Sequence, residues 1–245
     1  GLLKSGDHIV CDWTTYSSTH EMLDHRLTDF GITTTFVDTA DIESVKAAIQ
    51  ENTRLIYFES IANPTMKVAD MNALVEVARQ QEVLTVCDNT FASPCVIRPL
   101  EWGVDLVVES ATKFISGHSD VIGGAICMKS EKLPADFLEQ IRWDTMVKWG
   151  SPLAPFNAWL LLRSMQTLSI RVERQCQSAM KLANHFAQHE KVNRVWYPGL
   201  ASHAQHALAK MQMPTFGGML SFDVGNANNA LKVLDSLKLA CFAAS

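Results

Sequence analysis

The chain has 245 residues, 47% of them hydrophobic and 19% charged, with a formal net charge of −5. That length and mix suit one or two ordinary globular domains with a sizeable core. The acidic balance offers no basic field for nucleic acid or an anionic membrane, and no apolar run approaches the roughly 20 residues that cross a bilayer.

Asp7 to Trp13 (D-H-I-V-C-D-W) alternates and then turns apolar, as a strand does, and delivers Thr14 to His20 to a loop at its C-terminal end. Glu21 to Asp29 carries Met22, Leu23 and Leu27 at helical spacing, and Gly31 stops it. A strand over Thr33 to Asp38, a helix over Asp41 to Glu51 and a strand over Arg54 to Glu59 come next. A helix over Val68 to Gln81 is entered through Asp70. The buried run from Val83 ends in an acid, Asp88, and further strands cover Asp105 to Glu109 and Gly124 to Met128. Such alternation predicts an α/β fold, a mostly parallel sheet with helices on both faces.

After about residue 130 the rhythm changes. Leu133 to Trp143 reads as a helix, and Ser151 to Pro155 (S-P-L-A-P) breaks the chain. A long helical region spans Phe156 to His189, bent near Thr167 to Ile170. Strands at Arg194 to Tyr197 and Gly218 to Val224 and a helix at Asn228 to Leu237 complete the pattern. Residues 1–150 are expected to form one large domain, and 151–245 a linker helix and the beginning of another. The six cysteines include no C-x-x-C pair, which favours reduced thiols in a cytoplasmic protein. The opening G-L-L-K-S-G-D and the closing L-A-C-F-A-A-S both read as cut edges, so an internal piece of a longer polypeptide is expected.

The chemistry concentrates in Val107 to Asp120, V-V-E-S-A-T-K-F-I-S-G-H-S-D. A buried strand stops, and a Ser-Ala-Thr-Lys turn leads to a Gly-His-Ser-Asp loop. Ser110 and Thr112 set hydroxyls beside Lys113, at a strand end suited to a phosphate. Asp88 ends another strand and faces the same crevice. A lysine that forms a Schiff base with an aldehyde cofactor needs an acid to keep the cofactor's ring nitrogen protonated, and hydroxyls to anchor its phosphate. Those are the demands of pyridoxal 5′-phosphate. Taken singly, Asp88 reads as a turn cap and Lys113 as a solvated side chain. Together, D-N-T-F, S-A-T-K and G-H-S-D in this order favour the cofactor.

These words resemble the cystathionine and methionine γ-lyase family, the pyridoxal-phosphate enzymes of cysteine and methionine metabolism. E-S-I-A-N-P-T (Glu59 to Thr65), P-F-N-A-W-L-L-L-R (Pro155 to Arg163), T-L-S-I-R-V-E-R (Thr167 to Arg174) and R-V-W-Y-P-G-L-A-S-H (Arg194 to His203) agree. The likeness runs from near residue 6 to Ser245, and its wording is nearest methionine γ-lyase. It implies a fold-type I transferase fold whose first domain binds the cofactor, with the start of a smaller C-terminal α+β domain. It implies Lys113 as the lysine that holds the cofactor and moves protons, and Asp88 as the partner of the ring nitrogen. Ser110 and Thr112 become the phosphate ligands, Tyr16 the ring-stacking and proton-donating tyrosine, and Asn63 the neighbour of the ring oxygen. On composition alone Tyr16 is equally an ordinary half-buried aromatic, and Asn63 before Pro64 suits a plain turn. The loop reads Y-S-S-T-H where methionine γ-lyases have Y-G-C-T, so Ser18 stands at their specificity cysteine. Ser245 falls at a serine near the substrate carboxylate.

The resemblance therefore implies a carbon–sulfur lyase that splits a sulfur amino acid by γ- or β-elimination into an oxo-acid, ammonia and a thiol. γ-Replacement on an activated homoserine uses the same residues, and a homologue that binds cofactor without turnover is the reading from another class. The family also implies a homo-oligomer, a dimer sharing active sites or a tetramer of such dimers. No metal is expected. His185 and His189 stand i, i+4 without a zincin glutamate, a pattern that suits a solvated helix face, and His118 and Asp120 belong to the G-H-S-D word. Trp143 and Trp149 suit packing or a substrate entrance. The sequence lacks the G-x-G-x-x-G, P-loop and G-x-S-x-G patterns.

Overall fold

The computed structural model describes residues 1–240. Its main sheet has strands β1 (His8–Asp12), β2 (Thr33–Val37), β3 (Thr53–Glu59), β4 (Leu84–Asp88), β5 (Leu106–Ser110) and β6 (Gly124–Met128), in the order β2-β1-β3-β4-β5-β6. β1 to β5 run parallel, and β6 pairs antiparallel with β5. A parallel sheet needs cover on both faces, and β1 is buried at every position. Val10, Ile56, Phe58, Cys87 and Val107 face one hydrophobic cluster, whereas Ile9, Cys11, Leu55, Val86 and Leu106 face the other. Because side chains alternate along a strand, the register Glu59 to Asp88 puts these two acids and Ser110 on the second face. Glu109 belongs to the first.

The first face is covered by α2 (Ile42–Ala48) and α3 (Met71–Gln80), which contribute Val45 and the stripe Met71, Leu74, Val77 and Ala78. Each helix starts on an aspartate whose carboxylate accepts amides of the first turn, Asp41 from Glu43 and Ser44 and Asp70 from Ala73. The expected loop from Thr14 to His20 is shorter than its sequence suggests. Tyr16 is extended, and α1 (Ser17–Glu21) begins immediately after it, running on through a π turn (Met22–Arg26) and a 3-10 turn (Thr28–Phe30) to Gly31. The His20 amide already finds the Tyr16 carbonyl at 2.9 Å, so the polar Ser17–Thr19 segment coils. Ser18 is therefore a helix residue.

Beyond β6, α4 (Phe137–Ile141) passes into a π turn over Arg142–Val147. The long helix expected from Phe156 is two helices, α5 (Pro155–Met165) and α6 (Leu168–Ala187), parted at Gln166 and Thr167. Leu168, Val172, Cys176, Ala179 and Ala183 form the buried stripe of α6. β7 (Arg194–Trp196) and β8 (Ser221–Asp223) form a small antiparallel ribbon, with α7 (His206–Gln212) between them and α8 (Ala227–Ser236) after them. Two glutamines bond this region to the segment that leads from β3 into α3. Gln205 exchanges hydrogen bonds with the backbone of Val68 at 2.8 and 2.6 Å, and Gln212 bonds Met71 N–H and the Ala69 carbonyl, both at 2.9 Å. Among the described residues no helix is long and apolar enough to cross a membrane, and Cys11, Cys87, Cys95, Cys127 and Cys176 are free thiols.

Candidate active site

Strand order reverses at β1: the chain leaves it for β2 on one side and returns to β3 on the other. In open α/β sheets, ligands bind outside the carboxyl ends of such a pair. Asp12, the last residue of β1, is 3% exposed and accepts from the Thr14 amide at 2.7 Å and from the hydroxyls of Thr14 and Thr39. Lys67 bridges Asp12 and Asp38, 2.8 Å from each. This buried network fixes the turn that presents Tyr16. The Tyr16 amide donates to Glu59 Oε1 at 2.6 Å, across the reversal point, and the Asn63 amide reaches Glu59 Oε2 at 3.4 Å. A cis peptide joins Asn63 to Pro64.

Tyr16 is half exposed and, with Asn63, borders a cleft of about 610 Å³ that also includes Trp13, Ser17 and His20 in its wall. Ser18, on the exposed side of α1, does not line it, and neither do Asp88, Ser110, Thr112 and Lys113. Those four belong to a second group of contacts, along the ends of β4 and β5. Asp88 accepts the Tyr57 phenol at 3.3 Å and the Thr90 amide at 3.0 Å. The Thr90 hydroxyl in turn accepts the Ser110 amide at 2.8 Å, and the Lys113 amide donates to the Ser110 carbonyl at 3.2 Å. Glu59 and Asp88 are cross-strand neighbours and join the two groups.

The Ser110 hydroxyl is not engaged by the contact that fixes its backbone. The Thr112 hydroxyl is committed to Gly123, accepting its amide at 3.1 Å and donating to its carbonyl at 3.3 Å. The ion-paired lysines among the described residues are Lys46, Lys67, Lys132 and Lys148; Lys113 is not one of them. Its loop is held from behind by Arg171, whose guanidinium donates to the carbonyls of Phe114, Ile115 and Ser164 at 2.9, 3.1 and 3.0 Å. Gly117 has φ +68, and a Cβ there would overlap that guanidinium, so glycine is required on both counts.

Burial pushes the Glu59 carboxyl up to about 7, with Asp88 and Asp12 adding to it and the two amides opposing it. Burial likewise holds the Tyr57 phenol proton far above its usual range, and the neighbouring Asp88 strengthens the effect. His118 bonds the Ser116 carbonyl at 2.6 Å and Ser164 at 3.3 Å, a structural duty. No group of three metal-ligating side chains occurs among the described residues. Glu59, Tyr57, Thr90 and Arg171 escaped the sequence reading, although Glu59 opens the E-S-I-A-N-P-T word and Arg171 lies within T-L-S-I-R-V-E-R. A carboxylate in an otherwise apolar strand was the available signal for Glu59. Ser245 lies outside the described residues.

The profile of the family described as Cys/Met metabolism PLP-dependent enzyme matches residues 1–245. The chain belongs to that family. It is 43% identical over 246 residues to an L-methionine gamma-lyase of Fusobacterium nucleatum subsp. polymorphum, a match covering 100% of this chain and 61% of that protein. It superposes on a cystathionine gamma-lyase from Lactobacillus plantarum complexed with L-serine with a TM-score of 0.94 at 37% identity, covering 100% of this chain and 63% of that one. A putative O-acetylhomoserine (thiol)-lyase from Campylobacter jejuni gives a TM-score of 0.96 at 31% identity over 99% of this chain and 68% of its own, and its structure carries a pyridoxyl-lysine phosphate. The chain thus spans less than two thirds of the length of its methionine and cystathionine gamma-lyase relatives. The fold of this family member is the fold-type I fold expected, with its mostly parallel sheet.

Proposed function

We propose that this chain carries the cofactor-holding part of a pyridoxal-phosphate-dependent carbon–sulfur lyase that cleaves a sulfur amino acid by γ- or β-elimination. The observation that supports this most is the continuous set of contacts from Tyr16 and Asn63 through Glu59 to Asp88, Thr90, Ser110 and Lys113 at the carboxyl ends of four neighbouring strands. The donor set fits the cofactor: a carboxyl group for a ring nitrogen, an amine outside any ion pair for an aldehyde, and a disengaged hydroxyl for a phosphate. Thr112 would join Ser110 on the phosphate by exchanging its bond to the Gly123 carbonyl.

Bound there, pyridoxal phosphate supplies a sink for the electron pair left behind when the substrate Cα proton departs. Asp88 would keep the ring nitrogen protonated, with Tyr57 and Thr90 orienting its carboxylate. Lys113 would hold the cofactor, and its amine would accept the Cα proton of the substrate. Tyr16 would stack on the ring and give its phenolic proton to the leaving sulfur. Asn63 would neighbour the ring oxygen, and Ser18 and Ser245 are assigned to the substrate by resemblance alone. With one water consumed, the products would be an oxo-acid, ammonia and a thiol.

The TM-score of 0.96 to a putative O-acetylhomoserine (thiol)-lyase favours γ-replacement as the second reading; formation of an oxo-acid without added thiol separates the two. The proposal includes a cytoplasmic homo-oligomer, dimeric at least and tetrameric by resemblance, with residues 1–150 as the cofactor domain and 151–245 opening the smaller one. The experiment is the absorbance of the protein with pyridoxal phosphate before and after borohydride. A yellow band that borohydride fixes at Lys113, and that Lys113→Ala lacks, is the expected result. No band in either protein would overturn the assignment.

A further inference from the structure

Asn89 and Glu109 stand on the sheet face opposite the proposed site, one residue after Asp88 and one before Ser110. Glu109 lies at the end of β5 on the side of Val107, which pairs with Cys87. Both side chains are buried, Asn89 1% exposed and Glu109 7%. The Asn89 amide nitrogen spends both of its N–H groups, on the Ile97 carbonyl at 3.0 Å and on Glu109 Oε1 at 2.8 Å. Since both partners accept, the orientation of the amide is fixed. What remains is Asn89 Oδ1 and Glu109 Oε2, each buried and without a hydrogen-bond partner among the described residues. Two orphaned acceptors on side chains already joined at their other ends are a costly arrangement for an ionised carboxylate. One proton removes the cost.

We propose that Glu109 is a carboxylic acid in the folded protein, its O–H donating to Asn89 Oδ1 while its other oxygen accepts the Asn89 N–H, a closed pair that fixes the ends of β4 and β5. The surroundings agree. The titratable groups that act on Glu109 or feel it are Asp88 and the thiols of Cys87 and Cys127, and none is a cation. Burial, opposed by the Asn89 N–H and reinforced by Asp88, pushes the Glu109 carboxyl up to about 7. The pair is a positioning device: it sets where Asp88 and Ser110 stand, and it leaves no second fixed charge behind Asp88. That role rests on the cofactor site proposed above, whereas the protonation of Glu109 does not.

The test is an infrared difference spectrum of the cofactor-free protein, wild type minus Glu109→Gln, followed by cofactor titration. A hydrogen-bonded carboxylic-acid C=O band is expected below neutral pH, moving on exchange into heavy water and fading as pH rises past about 7. Glutamine presents the same acceptor and a donor where the acid has its O–H, so Glu109→Gln folds and lessens the wild-type loss of thermal midpoint over that pH range, leaving the share that Glu59 contributes. Glu109→Ala breaks the pair and raises the Kd for pyridoxal phosphate about tenfold, the lower end of the effect of an outer-shell partner, and the glutamine variant recovers that affinity. Absence of the acid band, or a Glu109→Gln protein that fails to fold or falls in midpoint with pH as steeply as wild type, overturns the pair. An acid band in a protein that takes up no cofactor leaves the pair standing and sinks the cofactor site instead.

Discussion

Glu59 Oε1 accepts the backbone N–H of Tyr16 at 2.6 Å, tying the end of β1 to the end of β3 across the point where strand order reverses. The same carboxylate reaches the Asn63 amide. One buried side chain thus holds both cleft-lining residues of the proposed site through their backbones, leaving the Tyr16 ring and the Asn63 side chain free to meet a ligand.

Glu59→Ala is expected to destabilise the fold by about 1–3 kcal/mol, because the Tyr16 amide loses its partner in a partly buried place. Cofactor affinity should fall with it, since the Tyr16 turn is then held only by the Asp12 network. Denaturant unfolding gives the first quantity and cofactor titration the second. An unchanged midpoint and an unchanged Kd would show that the Asp12 network positions Tyr16 alone.

The same residue predicts a pH dependence. Glu59 has its carboxyl raised from 4.5 to about 7 in the folded chain, so between those values the folded state binds more protons than the unfolded one. Stability from this group is therefore complete below 4.5 and lost as pH climbs through about 7. Thermal midpoints measured across that window should decline in wild type and decline less in Glu59→Gln. Equal slopes would mean that the two amides keep Glu59 ionised throughout.

Much of this was legible because strand ends carry the chemistry. Apolar runs that stop abruptly located β4 and β5, and the polar residues that end or follow them, Asp88 and Ser110 to Lys113, were visible as interruptions of pattern. Asp70 declared its helix by the same logic. What escaped was long-range. Nothing near Glu59 in sequence shows that its oxygens meet an amide 43 residues earlier, and nothing near Arg171 shows that its guanidinium reaches a carbonyl 57 residues away. The helical region from Phe156, expected to bend near Thr167 to Ile170, is parted there into two helices at Gln166 and Thr167, a full break that apolar content alone does not show. The Thr112 hydroxyl was read as a phosphate ligand from its place beside Lys113, and its bond to Gly123 depends on β6 folding back against β5.

Tyr16→Phe keeps the ring and removes the proton. The cofactor band should persist with little shift, while turnover falls by about 10²–10⁴, the range for loss of a positioned general acid. The loss should be smaller for substrates whose sulfur leaves readily as an anion. Steady-state rates on a poor and a good leaving group decide it; unchanged rates on both would assign Tyr16 to stacking alone, and equal losses on both would mean that its proton does not go to the sulfur.

Arg171→Lys tests how the Lys113 loop is held. The guanidinium serves three carbonyls at once, on Phe114, Ile115 and Ser164, from a rigid planar fork. A lysine ammonium on its flexible stem cannot reproduce that geometry, and buried carbonyls then lose a charged donor, a cost of about 1.5–3 kcal/mol. Because Phe114 directly follows Lys113, the slack passes to the residue that is proposed to hold the cofactor. The variant should unfold at lower denaturant and release pyridoxal phosphate faster than wild type, while Arg174→Lys, three residues on and exposed, changes neither. Faster release without a change in stability would place the effect of Arg171 in the loop alone. A wild-type unfolding curve together with a wild-type release rate would mean that Gly117 and the backbone of the S-A-T-K turn hold Lys113 without help from α6.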